Sequence, residues 1–113
     1  MKITHYSFGR ITINGRTYTS DVIIYLGRVD SSWWRKEGHY LQVVDLTGIV
    51  EARPSVLIIG TGYHGAMEVL PETIEFLKSN GIEVHIEKTA RAVELYNGIS
   101  QIKPTIAALH LTC

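Results

Sequence analysis

Cysteine is all but missing from this chain of 113 residues: Cys113 is the single one, at the last position, so no internal disulfide can form. Stability must come from packing. Long hydrophobic runs are also missing. The longest, near residues 22–26 and 56–59, fall far short of the roughly 20 apolar residues that a membrane helix needs, so no membrane span is expected. Neither sign of charge dominates. Eleven basic side chains meet eleven acidic ones, which leaves no net field to attract nucleic acid and makes it an unlikely partner class. The opening Met-Lys-Ile-Thr-His-Tyr shows no charged segment followed by an apolar one, and a cytoplasmic location is expected.

Catalytic signatures are sparse as well. There is no G-x-S-x-G elbow, and a terminal cysteine is badly placed for orientation by a base. His5, His39, His64, His85 and His110 form no H-x-x-x-H or C-x-x-C pair, so neither a metal nor another cofactor is expected. At 12.7 kDa, with 45% hydrophobic and 19% charged residues, residues 1–113 fit one globular α/β domain. An enzyme of this size would be minimal or oligomeric.

What is present is a clear two-part pattern. The first part is β-rich: Arg10-Ile-Thr-Ile and Arg16-Thr-Tyr-Thr flank Asn14-Gly15, a pair that accepts positive φ at both turn positions and predicts a β-hairpin. Residues 22–26, apolar without alternation, predict a strand buried on both faces. Residues 27–38 make a charged, tryptophan-containing connection. Asp45 is placed to cap a short helix that Pro54 ends. The second part alternates strand 56–59, helix 71–79, strand 82–86, helix 90–96 and strand 105–111. Pro71 suits a first helical turn, Gly81 a left-handed stop, Thr89 an N-cap and Gly98 a helix end. This alternation predicts a three-layer single domain with a central mixed, mostly parallel sheet, flanking helices and the N-terminal hairpin.

Function is sought first at Val56-Leu-Ile-Ile-Gly-Thr-Gly-Tyr-His-Gly, where an apolar strand stops on Gly60, Gly62 and Gly65. Glycine loops at strand ends can bring backbone N–H groups up to an anion. A dinucleotide fingerprint would open its helix at the second glycine, whereas Pro71 delays the helix by nine residues. A small anion held by the amides of Thr61 and Gly62 remains, with Gly60, Tyr63 and His64 completing the ligand site. A tight turn with no ligand is the plainer alternative. Thr89 and Asn97 support the region, either as helix caps or, for Asn97, by holding the glycine loop. Trp33 and Trp34, beside Arg35 and Lys36, close the core or contact a protein. Glu83, His85 and Glu87 share one strand face and read as a solvated edge.

Trp34, Gly38-His39 and Asp45-Leu46, then Val56-Leu-Ile-Ile-Gly-Thr-Gly, Leu77, Gly81-Ile82-x-Val84, Thr89-x-x-Ala92, Tyr96-Asn97 and the ending Ala108-Leu-His-Leu-Thr-Cys113 form an ordered set. That set resembles a small domain family of unknown function that includes the adipogenesis-associated domain protein and mitochondrial respiratory complex I assembly factor 3. The resemblance covers nearly the whole chain. It implies a three-layer α/β fold with a mixed sheet and a β-hairpin insertion, and roles in assembly or differentiation without an established catalytic activity. The expected function is therefore a binding or assembly module that accepts a small anion, a protein partner or a second copy of itself. The alternative is a small enzyme with the Gly-Thr-Gly loop as oxyanion cradle and His64 as acid or base.

Overall fold

The computed structural model describes all 113 residues. Its first element is a three-stranded antiparallel sheet of β1 (Ile3–Ser7), β2 (Arg10–Ile13) and β3 (Arg16–Tyr18). The hairpin between β2 and β3 turns at Asn14 (φ 48°) and Gly15 (φ 80°), the positive pair that the Asn-Gly dipeptide predicts. The β1–β2 pairing around Phe8-Gly9 was not expected from the sequence.

The chain continues through β4 (Val22–Ile24), β5 (Val29–Asp30) and β6 (Tyr40–Leu41). A 3-10 turn, Val43–Leu46, runs into α1 (Thr47–Ala52). Then come β7 (Val56–Thr61), β8 (Glu68–Val69), α2 (Pro71–Ser79), β9 (Glu83–Glu87), α3 (Thr89–Ile99) and β10 (Thr105–His110). The main sheet has the order β5-β4-β10-β7-β9. β10 pairs in parallel with β7, and β7 with β9, while β4 runs antiparallel to both its neighbours. A mixed sheet with one reversed strand results. No helix is long and apolar enough to cross a membrane.

Every residue of β7 and β10 is buried, because apolar layers cover both faces of the sheet. On one face Val56, Ile58, Ala107 and Leu109 pack with Ala92 and Tyr96 of α3 and with Ile3, Ile11 and Ile13 of the N-terminal sheet. On the other, Leu57, Ile59, Ile106, Ala108 and Ile23 pack with Leu41, Leu46, Ile49, Met67 and Leu77. The two-residue period of a strand divides one apolar run between two cores.

Several local expectations need correction. Asp45 is not an N-cap: Gln42 precedes the turn, and the Asp45 carboxylate accepts the N–H groups of Gln42 and Lys36, each at 2.9 Å. The loop 36–45 is thus pinned by a side chain that the sequence assigned to a helix end. Thr89 is the first residue of α3 rather than its cap, and Gly98 lies inside that helix, which runs on to Ile99. Asn97 neither caps α3 nor reaches the glycine loop. Its amide accepts from Ile3 N at 2.9 Å and donates to Ile3 O at 2.7 Å, stitching β1 to the helix.

Candidate functional site

Gly60, Thr61 and Gly62 lie where β7 leaves the sheet, at the carboxyl end of its parallel strands, the end at which open α/β sheets bind ligands. The amides there are already engaged. Gly62 donates to the Thr89 hydroxyl at 2.9 Å, Tyr63 to Thr112 O at 2.6 Å and Ala66 to Cys113 O at 2.9 Å. Gly65 donates to Gly62 O and Met67 to Thr61 O. Of the two amides expected to hold an anion, those of Thr61 and Gly62, the second is taken by the Thr89 hydroxyl, and main-chain oxygens of residues 112–113 take the donors that follow it at Tyr63 and Ala66.

The glycines answer to crowding rather than to a ligand. A Cβ on Gly60 would sit 2.8 Å from the Thr89 hydroxyl and 2.9 Å from Leu109 Cδ2. Gly62 has φ +109°, and a Cβ there would collide with the Cys113 carbonyl and stand 2.7 Å from Thr112 O. Thr89 links these parts, because its hydroxyl also donates to His110 O at 2.6 Å. It takes the loop-holding part expected of Asn97.

Thr61, Tyr63 and His64 go separate ways. The Thr61 hydroxyl donates to Glu87 O at 3.1 Å, and Thr61 walls an open cleft of about 570 Å³ with His39, Tyr40, Met67, Glu68 and Ile86. A larger hollow of about 720 Å³ lies at the opposite end of the sheet, between Arg53-Pro54-Ser55 and Asn80-Gly81-Ile82, with no buried ionisable group in its wall. The cleft beside Thr61 is the better-placed of the two. Tyr63 is 49% exposed. Its ring meets His64 at 5.1 Å and Phe8 at 5.9 Å between centroids, both edge-on, and Phe8 lies 6.1 Å from His64. These three rings form an aromatic tip in solvent, and no carboxylate orients His64.

The oriented histidine is His110. It is the registered partner of Thr61 across the β7–β10 ladder, so both side chains leave the same sheet face. His110 Nδ1 lies 2.7 Å from Asp21 Oδ2, and Asp21 Oδ1 accepts the Leu111 N–H at 2.8 Å. Arg35 closes the group. Its Nη1 is 2.8 Å from Asp21 Oδ2 in a charge contact off the hydrogen-bond line, and its Nη2 donates to Gly38 O at 3.3 Å. The guanidinium also stacks 4.7 Å from the Trp33 ring, whose Nε1 donates to Asp45 O. A carboxylate only accepts, so in the neutral ring the proton sits on Nδ1 toward Asp21 and Nε2 keeps its lone pair.

Burial alone would push the Asp21 carboxyl up. The hydrogen bonds from His110 and the Leu111 N–H, with the Arg35 guanidinium beside the carboxylate, outweigh it and hold the group below the usual carboxylate range. His110 Nε2, Arg35 Nε and Arg35 Nη1 are nonetheless buried without a hydrogen-bond partner. Leaving such an atom unpaired costs about 1–3 kcal/mol. Asp21 and Arg35 stand 89 and 75 residues from His110 along the chain, so spacing carries no signal of the cluster. The one available hint is His110 after the apolar run of residues 106–109.

The family model described as "Protein of unknown function (DUF498/DUF598)" matches residues 3–110. The chain belongs to this family. Among solved structures it is similar to the conserved hypothetical protein PH1505 from Pyrococcus horikoshii OT3, with 28% identity and a TM-score of 0.86 over 100% of both chains. It is equally similar in sequence to MT938, at 28% identity and a TM-score of 0.81 over 99% of this chain and 98% of that one. A Bordetella pertussis protein described as a Mth938-like domain shares the fold at 20% identity and a TM-score of 0.67, over 97% and 85% of the two chains. The family assignment agrees with the resemblance to adipogenesis-associated and complex I assembly factor domains. Within this DUF498/DUF598 fold, the aromatic tip and the Asp21–Arg35–His110 cluster are the two features whose chemistry the packing leaves open.

Proposed function

We propose that the protein is a binding module of the assembly type whose contact surface is the aromatic tip of Phe8, Tyr63 and His64. The observation that carries this reading is a rigid loop holding exposed rings. Phe8 is 52% and Tyr63 49% exposed, yet the backbone beside Tyr63 is fixed by bonds to Thr89, Thr112 and Cys113, and the turn that carries Phe8 by the Gly9 N–H donating to Leu111 O at 2.9 Å. Rings presented on a fixed backbone lose little entropy on docking and supply the chemistry of interface hot spots. The glycine loop then serves as a mount rather than as a cradle. The rival surface is Trp34, 71% exposed, beside the exposed Lys36. Arg35, buried against Asp21, belongs to neither.

A second reading, a small enzyme, is favoured by one observation. The histidine oriented by a carboxylate, with a free Nε2, is His110 and not His64. An acid–base role would fall to the Asp21–His110 pair.

Co-purification with Phe8→Ala/Tyr63→Ala against Trp34→Ala/Lys36→Glu separates the surfaces, with light scattering to score self-association. Loss of partner or dimer in the first variant alone is the expected result. Retention there with loss in the second moves the contact to the tryptophan loop. Retention in both sinks the reading.

A further inference from the structure

We propose that the outer edge of β9, together with the cleft beside Ile86, accepts an extended segment of a partner protein that alternates basic and apolar residues. β9 ends the main sheet and pairs only with β7. The Glu83 N–H donates to Ser55 O beside β7, and successive residues of a strand turn their main-chain groups to opposite sides. His85 and Glu87 therefore bond toward β7. Val84 and Ile86 turn N–H and C=O outward, where no bond within the chain uses them. The other edge of the sheet, β5, is only two residues long.

The side chains decide what can add there. Glu83, His85 and Glu87 stand in a row on one face, so antiparallel self-pairing over the whole strand would set each Glu83 against Glu87 of a second copy. Like charges directly opposite are destabilising. The edge repels its own copy in that register and attracts Lys or Arg at the same positions. Glu83 already meets Lys103 at 3.2 Å, whereas the exposed Glu87 makes no ion pair. On the other face Ile86, 36% exposed, borders the open cleft of about 570 Å³ with Met67, Val69 and the exposed Tyr40. An added strand sends every second side chain to that face, so its apolar residues meet Val84 and Ile86 and enter the cleft. Glu68, exposed and also without an ion pair, adds a carboxylate to the cleft wall. Main-chain bonds give such strand addition its affinity, and alternate side chains give it selectivity.

The probe is the end-blocked peptide Lys-Val-Thr-Val-Lys, with Glu-Val-Thr-Val-Glu as its acidic twin, each titrated into the folded chain at neutral pH and low salt. Amide NMR and hydrogen exchange read the result. The pattern is the same in both directions, so either strand orientation presents it alike. The expected outcome is a saturable shift of the Val84 and Ile86 amides with slowed exchange, the acidic twin binding about tenfold more weakly because its ionic contacts turn repulsive. Glu87→Lys, at an exposed side chain, should erase most of that preference, and Phe8→Ala/Tyr63→Ala should leave the response intact whatever becomes of the aromatic surface. Equal binding of the two peptides removes the basic partner. No response at Val84 and Ile86, whether or not Phe8 and Tyr63 shift, removes the edge, and protection there that grows with protein concentration alone assigns it to a second copy. Each of these overturns the proposal. Should Glu87→Lys fail to fold, the wild-type contrast between the two peptides still decides.

Discussion

Two neighbouring regions at the carboxyl end of the sheet differ in how their polar groups are used. The loop at Gly60–Gly65 looks reactive in sequence, yet its amides at Gly62, Tyr63, Gly65, Ala66 and Met67 are paired within the chain. The row Asp21, Arg35, His110 is scattered and ordinary in sequence, yet it keeps Arg35 Nε and His110 Nε2 buried without partners. A glycine pattern reports where a backbone is crowded or bent. It does not report what the backbone donates to.

The contrast breaks most sharply at Gly62. A valine there meets both a left-handed φ and the carbonyls of residues 112–113, so Gly62→Val should cost about 3 kcal/mol or more, or prevent folding. Urea denaturation measures it, and a stable, well-folded variant would return the loop to the ligand reading. Next comes Asp21→Asn, expected to cost about 3 kcal/mol because it leaves the Arg35 charge buried without its counter-ion.

That substitution also tests the pH dependence. The Asp21 carboxyl is lowered on folding, so its contribution is full above the unfolded carboxylate value and is lost as pH falls through the folded one. Wild type should therefore lose stability on acidification more steeply than Asp21→Asn, as read from midpoints across an acid series. Equal slopes would remove Asp21 from the account.

Thr89→Val is a smaller change. It strands the Gly62 N–H and the His110 carbonyl together, with an expected cost of about 2 kcal/mol. The finest probe is Asn97→Ala, expected to cost about 1–2 kcal/mol by freeing both main-chain groups of Ile3. Faster amide exchange confined to β1, with the glycine loop unaffected, would confirm that Thr89 and not Asn97 holds that loop.

Much of the architecture was legible because its causes are local. Asn14-Gly15, Pro71 and Gly81 each act within a few residues, and the structure places a hairpin turn, a helix start and a left-handed stop there. The unbroken apolar runs marked the central strands. What was not legible depends on groups far apart in the chain. Thr89 has the right residue type for an N-cap, but His110 O and Gly62 N compete successfully for its hydroxyl. Asp45 likewise is not the N-cap but the third residue of the 3-10 turn, where its carboxylate accepts from the N-cap Gln42 and from Lys36 of the preceding loop. For the candidate site, sequence pointed through Thr61 to the carboxyl end of the parallel strands, where His110 also lies. It chose the histidine in the flexible-looking motif over the one buried in β10, because orientation by a carboxylate 89 residues away leaves no local trace.

The order of the sheet bears on how the molecule comes into being. Its middle ribbon, β10, follows every other strand of that sheet in chain order, and β4 and β7 both need it as their neighbour. Until residues 105–110 arrive, β4 and β7 each stand with one bare edge beside apolar side chains, an invitation to self-adhesion.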